Sequence, residues 1–274
     1  FMPGNTSEAL WLANPDEARP VDLAIGDLLG ALATEHPQRE AVVYACHSEV
    51  DNIRLSYAQL DELATALARA LLAAGYTAGV RAIFHADRVA DVNLRSIIDR
   101  VAVNLPNLRG IYSLGPGIAR LMAQPDLGVY ALPSVHPDSP FMIQYTSGTT
   151  GQPKAAVLTH RGIATTARNS YQAWGFGSGD KVCHGFPLYH VGGSGNSTML
   201  TAMMEDPSFQ GRDLSALQYI VAGGMSVPAR LISQCEEAFG VDIINGYGQT
   251  ETSGVSCSTV ASDTATIKSS TSGR

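Results

Sequence analysis

Short apolar runs alternate with helical patterns of about 10 to 15 residues along this 274-residue chain. That alternation predicts an α/β fold with mostly parallel sheets flanked by helices, because a crossover between parallel strands needs a helix-length connection. Ser56-Tyr57-Ala58-Gln59 reads as a capping box, followed by Leu60, Leu63, Leu67 and Leu71 at helical spacing and Gly75 at a C-cap. Before it, residues 22–34 place Ile25, Leu28, Leu29 and Leu32 on one helical face, and 41–44 form a short strand-like run. A helix over 93–105 and a strand over 110–114 follow. The second half reads as strands 141–145 and 155–158, helix 162–174, strand 182–186, helix 196–204, strand 217–221, helix 228–239 and strand 241–244. Pro133 to Pro140 is the best linker, dividing the chain into subdomains of approximately 1–135 and 136–274, although a surface loop within one domain fits it equally.

With 45% hydrophobic and 16% charged residues the chain is apolar enough to offset the entropy of folding. Its 18 basic and 25 acidic side chains give a net charge of −7, and no Lys/Arg cluster is present to displace phosphate counterions, which excludes an electrostatic nucleic-acid binder. The apolar segment 60–74 is interrupted by Asp61, Glu62 and Arg69, so it falls short of the ~18 apolar residues that span a bilayer, and no membrane association is expected. Phe1-Met2-Pro3-Gly4-Asn5 lacks the basic and apolar regions of an export signal. Cys46, Cys183, Cys235 and Cys257 are scattered as reduced thiols would be, so a cytoplasmic location is expected.

The densest chemical signal is Ile143-Gln144-Tyr145-Thr146-Ser147-Gly148-Thr149-Thr150-Gly151-Gln152-Pro153-Lys154. A strand runs into glycines that let backbone N–H groups face an anion, hydroxyls that add donors, and one cation, a set suited to a polyphosphate. Read only as structure, the same residues make a hairpin turn between two strands. The order is not that of a Walker A loop, since Ala155 follows the lysine, nor that of a dinucleotide fingerprint. Gly192-Gly193-Ser194-Gly195 is followed by Asn196, so a serine-hydrolase elbow fails as well. The histidines, among them His85, His136 and His160, show no metal-ligand spacing and read as surface or structural.

The twelve residues from Ile143 to Lys154 resemble the phosphate-loop signature of the adenylate-forming superfamily, which includes acyl-CoA synthetases and adenylation domains. In the expected order, Phe186 to Gly193 resembles the acyl-pocket motif of acyl- and aryl-CoA ligases, Ala222-Gly223-Gly224-Met225 the glycine-rich strand end lining the acid and adenine sites, and Asn245 to Glu251 the adenylate-binding motif. The resemblance implies the large N-terminal domain of such an enzyme. It implies phosphate binding by Thr146, Ser147, Gly148, Thr149, Thr150 and Lys154, and nucleotide binding by Gly223, Gly224, Asn245, Gly246, Tyr247, Gly248 and Thr250. Tyr247 would stack on adenine, Thr250 would bond the α-phosphate and Glu251 would hold Mg²⁺. The acid pocket would comprise Tyr189, His190, Gly192, Gly193, Gly223, Gly224 and Met225, and the catalytic set would be Thr250, Glu251, His190 and Lys154, with His190 in a positioning role.

The implied reaction is ATP-dependent activation of a carboxylic acid to an acyl-adenylate, then thioester formation with coenzyme A or, alternatively, a carrier-protein thiol. Amino-acid-activating relatives carry an aspartate in the segment that here reads Tyr189-His190, to pair a buried ammonium. Its absence points to an aryl or acyl substrate. Against the family pattern, blocks are missing after Gly75 to Arg81 and after Met203-Met204, so chain breaks are expected at Arg81/Ala82 and Met204/Glu205. By the resemblance, this sequence is expected to stop before the family's small C-terminal domain with its adenylation lysine. A domain that binds a preformed acyl-adenylate without making it is the alternative reading.

Overall fold

The computed structural model describes residues 20–44, 53–76, 81–89, 92–123, 131–146, 153–177, 179–183 and 196–273. They divide into two compact units, one of residues 26–135 and one that joins residues up to 25 with 136 onward.

In the 26–135 unit, helix α1 (Ile25–Glu35) leads into β1 (Glu40–Tyr44), which pairs antiparallel with β2 (Ile53–Ser56). Helix α2 (Tyr57–Ala73) starts at the capping box: Ser56 Oγ accepts the Gln59 N–H and the Gln59 side chain accepts the Ser56 N–H. Together the two bonds satisfy N–H groups that a helix start leaves unpaired, and a cap of this kind contributes roughly 1 kcal/mol. Gly75 takes φ 78°, and the Gly75 and Tyr76 N–H groups return to the Leu72 and Leu71 carbonyls, closing the helix. Strand β3 (Ala82–His85), the short pair β4 (Arg88–Val89) and β5 (Val92–Asn93), helix α3 (Leu94–Ala102), strand β6 (Gly110–Ser113) and helix α4 (Pro116–Met122) complete the unit. Strands β3 and β6 are parallel, joined through α3.

In the other unit, β7 (Pro140–Thr146) and β8 (Lys154–Thr159) form an antiparallel hairpin that feeds α5 (His160–Ala173). Thr159 caps α5 by accepting the Gly162 N–H at 3.0 Å. The start of α5 is tied down: Arg161 forks onto Asp138 and reaches Asp22 at 2.9 Å, while His160 Nδ1 accepts the Ile25 N–H. His160 is thus structural. Helix α6 (Ser197–Glu205), strand β9 (Tyr219–Gly223), helix α7 (Ala229–Phe239), strand β10 (Asp242–Gln249), strand β11 (Gly254–Ser258) and helix α8 (Ala265–Ser270) follow. The sheet order is β11-β10-β9, with β9 and β10 parallel and β10 and β11 antiparallel. Leu200, Ala222, Val227, Ile232, Cys235, Phe239 and Ile243 form its buried core, in which Phe209 meets Phe239 edge to face at 4.9 Å.

The pairing is therefore mixed rather than mostly parallel. Among the described residues β3/β6 and β9/β10 are parallel, and β1/β2, β4/β5, β7/β8 and β10/β11 are antiparallel. Connection length explains this: Thr250 to Ser253 alone separate β10 from β11, too few for a parallel crossover of a dozen residues or more. The backbone runs on through Arg81/Ala82 and Met204/Glu205. Met204 and Glu205 lie in the last turn of α6, and the Arg81 carbonyl accepts N–H groups from Arg109 and Gly110 as Ala82 opens β3. Of the strand expected over 182–186, residues 182–183 are irregular and the rest lies outside the described residues. Among the described residues no helix is long and apolar enough to cross a membrane.

Candidate nucleotide and acid site

The register of β9 against β10 sets Ala222 beside Asn245 and Gly223 beside Gly246. Two of the glycine-rich segments thus lie side by side at the carboxyl ends of parallel strands, where open α/β sheets receive ligands. Gly223 is buried at the end of β9, and Gly224 turns the chain with φ 77°, a conformation open to glycine. Met225 follows, half exposed.

Strand β10 emerges from the core at Ile243 and Ile244, both buried, and delivers Tyr247 to the surface at 46% exposure. That exposure leaves the ring face available for stacking, while the Tyr247 hydroxyl accepts a hydrogen bond from Gln249 Nε2 at 2.8 Å. Asn245 is half-buried: Nδ2 donates to the Lys268 carbonyl and the backbone N–H donates to Thr259 Oγ1, each at 2.8 Å. The Nδ2 bond ties β10 to α8. The register shifts between Tyr247 and Gly248, and Gly248 passes close against the Gly254 backbone.

A single 3₁₀ turn, Thr250–Thr252, ends β10. Thr250 is half-buried and Glu251 exposed, and the Glu251 carboxylate makes no hydrogen bond or ion pair among the described residues. This turn lies against β8, and the following residue, Ser253, abuts Gly162 in the first turn of α5. Thr146 and Lys154 face each other across the base of the β7/β8 hairpin, with Lys154 exposed. The strand that begins at Lys154 is thus brought to the turn that carries Thr250 and Glu251. Ser147, Gly148, Thr149 and Thr150, and likewise Tyr189, His190, Gly192 and Gly193, lie outside the described residues.

The site is electrostatically simple. Among the described residues no three His, Cys, Asp or Glu side chains cluster as a protein-built metal cage. An unengaged carboxylate such as Glu251 fits a magnesium ion that takes its remaining ligands from phosphate and water. At the other end of the hairpin, beyond the Pro140/Thr159 pair, the Arg161 guanidinium holds the Asp138 carboxyl below the usual carboxylate range. A depression of about 440 Å³ between α1 and α2, lined by Thr34, Asp61, Glu62, Thr65 and Arg69, contains none of the motif residues. Sequence reasoning missed β11, which backs Tyr247 through Cys257, and the Lys268 contact to Asn245. Val255 and Cys257 alternate with Ser256 and Ser258, a short period-2 signal that could have revealed the strand.

Comparison with known proteins gives the family. The family model described as AMP-binding enzyme matches residues 118–196 and 193–274, more than half of the chain. Indoleacetate–CoA ligase of Aromatoleum aromaticum is 32% identical over 158 residues, 44% of this chain and 31% of its own length. Acyl-CoA ligase cnsG of Penicillium expansum is 26% identical over 273 residues, 85% of this chain and 51% of its own length. The chain thus spans about half or less of these curated relatives. Among solved structures, the N-terminal domain of FACL13 from Mycobacterium tuberculosis superposes with a TM-score of 0.73 at 20% identity, covering 92% of this chain and 82% of that one.

Proposed function

The chain belongs to the AMP-binding enzyme family, and on that premise we propose that it activates an aryl or acyl carboxylic acid with ATP and passes the acyl group to coenzyme A. The observation that carries the proposal is the alignment of Gly223 with Gly246 at the ends of β9 and β10, together with the Thr250–Thr252 turn lying against β8. Backbone free of side chains, an exposed aromatic ring, a hydroxyl, a carboxylate and a lysine-bearing strand are what a nucleotide with a reacting α-phosphate requires.

In the proposed reaction the substrate carboxylate oxygen bonds to the α-phosphorus while the bond to the β-phosphate oxygen breaks, releasing pyrophosphate. A thiol then attacks the acyl carbon and AMP leaves. The protein contributes positioning and charge neutralisation. Tyr247 offers its ring face to adenine, Thr250 donates to the α-phosphate, and Lys154 and Thr146, with Ser147, Gly148, Thr149 and Thr150, take the phosphate tail. Glu251 would hold a magnesium ion, which would supply further neutralisation of phosphate charge. Tyr189, His190, Gly192, Gly193 and Met225 complete the acid pocket, with His190 positioning the acyl group.

The Tyr189-His190 segment has no aspartate to pair an α-ammonium, which supports an acid without an amino group there. The relatives' own names, an indoleacetate–CoA ligase and an acyl-CoA ligase, support the same class. The test is product analysis with a panel of aryl and acyl acids. Acid-dependent AMP and, with coenzyme A present, a hydroxylamine-sensitive thioester are expected. ADP as product contradicts the proposal, and binding of an acyl-adenylate without turnover supports a hand-over domain instead.

A further inference from the structure

Lys268 is 1% exposed, yet it carries an ammonium group. Burying such a charge is tolerable only with a close counter-charge. Its Nζ donates to Glu236 Oε1 at 2.6 Å and lies 3.8 Å from Asp242 Oδ1. The same Glu236 oxygen accepts the Ile243 N–H at 3.2 Å, so one carboxylate ties the lysine of α8 to the backbone of β10. The Lys268 carbonyl accepts Asn245 Nδ2 at 2.8 Å, two residues further along the same strand. A second pair of bonds closes the bracket on the other side: the Asn245 N–H donates to Thr259 Oγ1, and the Thr259 N–H donates to the Asn245 carbonyl at 2.9 Å.

From this geometry we infer that the Lys268–Glu236 ion pair is a positioning device for the nucleotide-facing end of β10, an inference that rests on the proposed nucleotide site. Glu236 and Lys268 anchor β10 at Ile243 and Asn245. Tyr247 is the next residue on the Asn245 side of the strand, and Thr250 follows three positions later. Neither charged side chain touches the nucleotide; each acts through the strand. Displacement of a reacting group by about 1 Å can cost as much as a hundredfold in rate, so a strand anchored this close to the site is held where precision matters.

The experiment compares hydrogen exchange and AMP binding in the full chain and in Lys268→Met, Lys268→Arg and Glu236→Gln variants. In Lys268→Met, amides of residues 245–251 should exchange about 10-fold faster or more, with those of β7 and β8 unchanged and AMP affinity reduced roughly 10-fold. Lys268→Arg should restore most of both. Should Lys268→Met fail to fold, Glu236→Gln, which retains an oxygen for the Ile243 N–H, reports the same contrast. Uniform acceleration across the whole unit, or protection of 245–251 left intact, overturns the positioning role. A wild-type chain that binds no AMP overturns the nucleotide reading alone, and the exchange pattern still decides whether the ion pair holds the strand.

Discussion

Gly248 lies so close to the Gly254 carbonyl that a β-carbon on Gly248 has no room beside that oxygen. The two glycines meet where the register of β10 against β11 shifts. A motif position read from sequence as nucleotide-binding thus has a backbone reason to be glycine. Gly248→Ala must push two strands apart and should cost about 1–3 kcal/mol. Gly246 makes the contrast, since a β-carbon there meets only atoms at 3.8 Å, an ordinary contact. Urea unfolding of both variants should show a clear loss for Gly248→Ala and a small change for Gly246→Ala.

Trp174 Nε1 donates to Ser258 Oγ at 3.0 Å, joining the end of α5 to the end of β11. Trp174→Phe keeps an aromatic ring beside Tyr171 and Phe176 but loses this bond. The expected loss is about 1 kcal/mol. In a double-mutant cycle with Ser258→Ala, the two single changes should be non-additive.

The Asp138 carboxyl is held below its ordinary value by hydrogen bonds from Arg161. A carboxylate whose folded value is depressed contributes stability above its unfolded value of 3.8 and loses it as pH falls through the folded value. Asp138→Asn should therefore lower the urea midpoint at pH 6, with the gap from wild type narrowing progressively below about pH 4. A gap that is constant with pH would falsify the assignment.

Lys154 and Glu251 are exposed, so removing either charge should leave the fold intact. Lys154→Ala and Glu251→Gln should each lower the acid-dependent rate of AMP formation by about 100-fold, the loss typical of one charge-stabilising group. Thermal unfolding of both variants should match wild type.

The elements that carry the candidate site were legible where their signals are local. The capping box at Ser56, the strand–loop–strand around Lys154 and the motif from Asn245 to Glu251 are each written in consecutive residues. Strand direction was not legible, since an apolar run reads alike in parallel and antiparallel pairs. Only the short Thr250–Ser253 link between β10 and β11 decides it there. Neither was the Lys268–Glu236 pair, whose members are 32 positions apart in a stretch with no charge pattern to link them. For Asn245 the motif records which residue is present and not which bonds its amide makes. The structure turns that amide toward α8.

The most direct measurement is isotope exchange between pyrophosphate and ATP, with the purified chain, magnesium and a panel of aryl and acyl carboxylic acids. Reversible adenylation predicts exchange that depends on the acid, requires no coenzyme A and falls in Lys154→Ala and Glu251→Gln. Absence of exchange with every acid, in a folded chain that binds AMP, would contradict acid activation by this polypeptide.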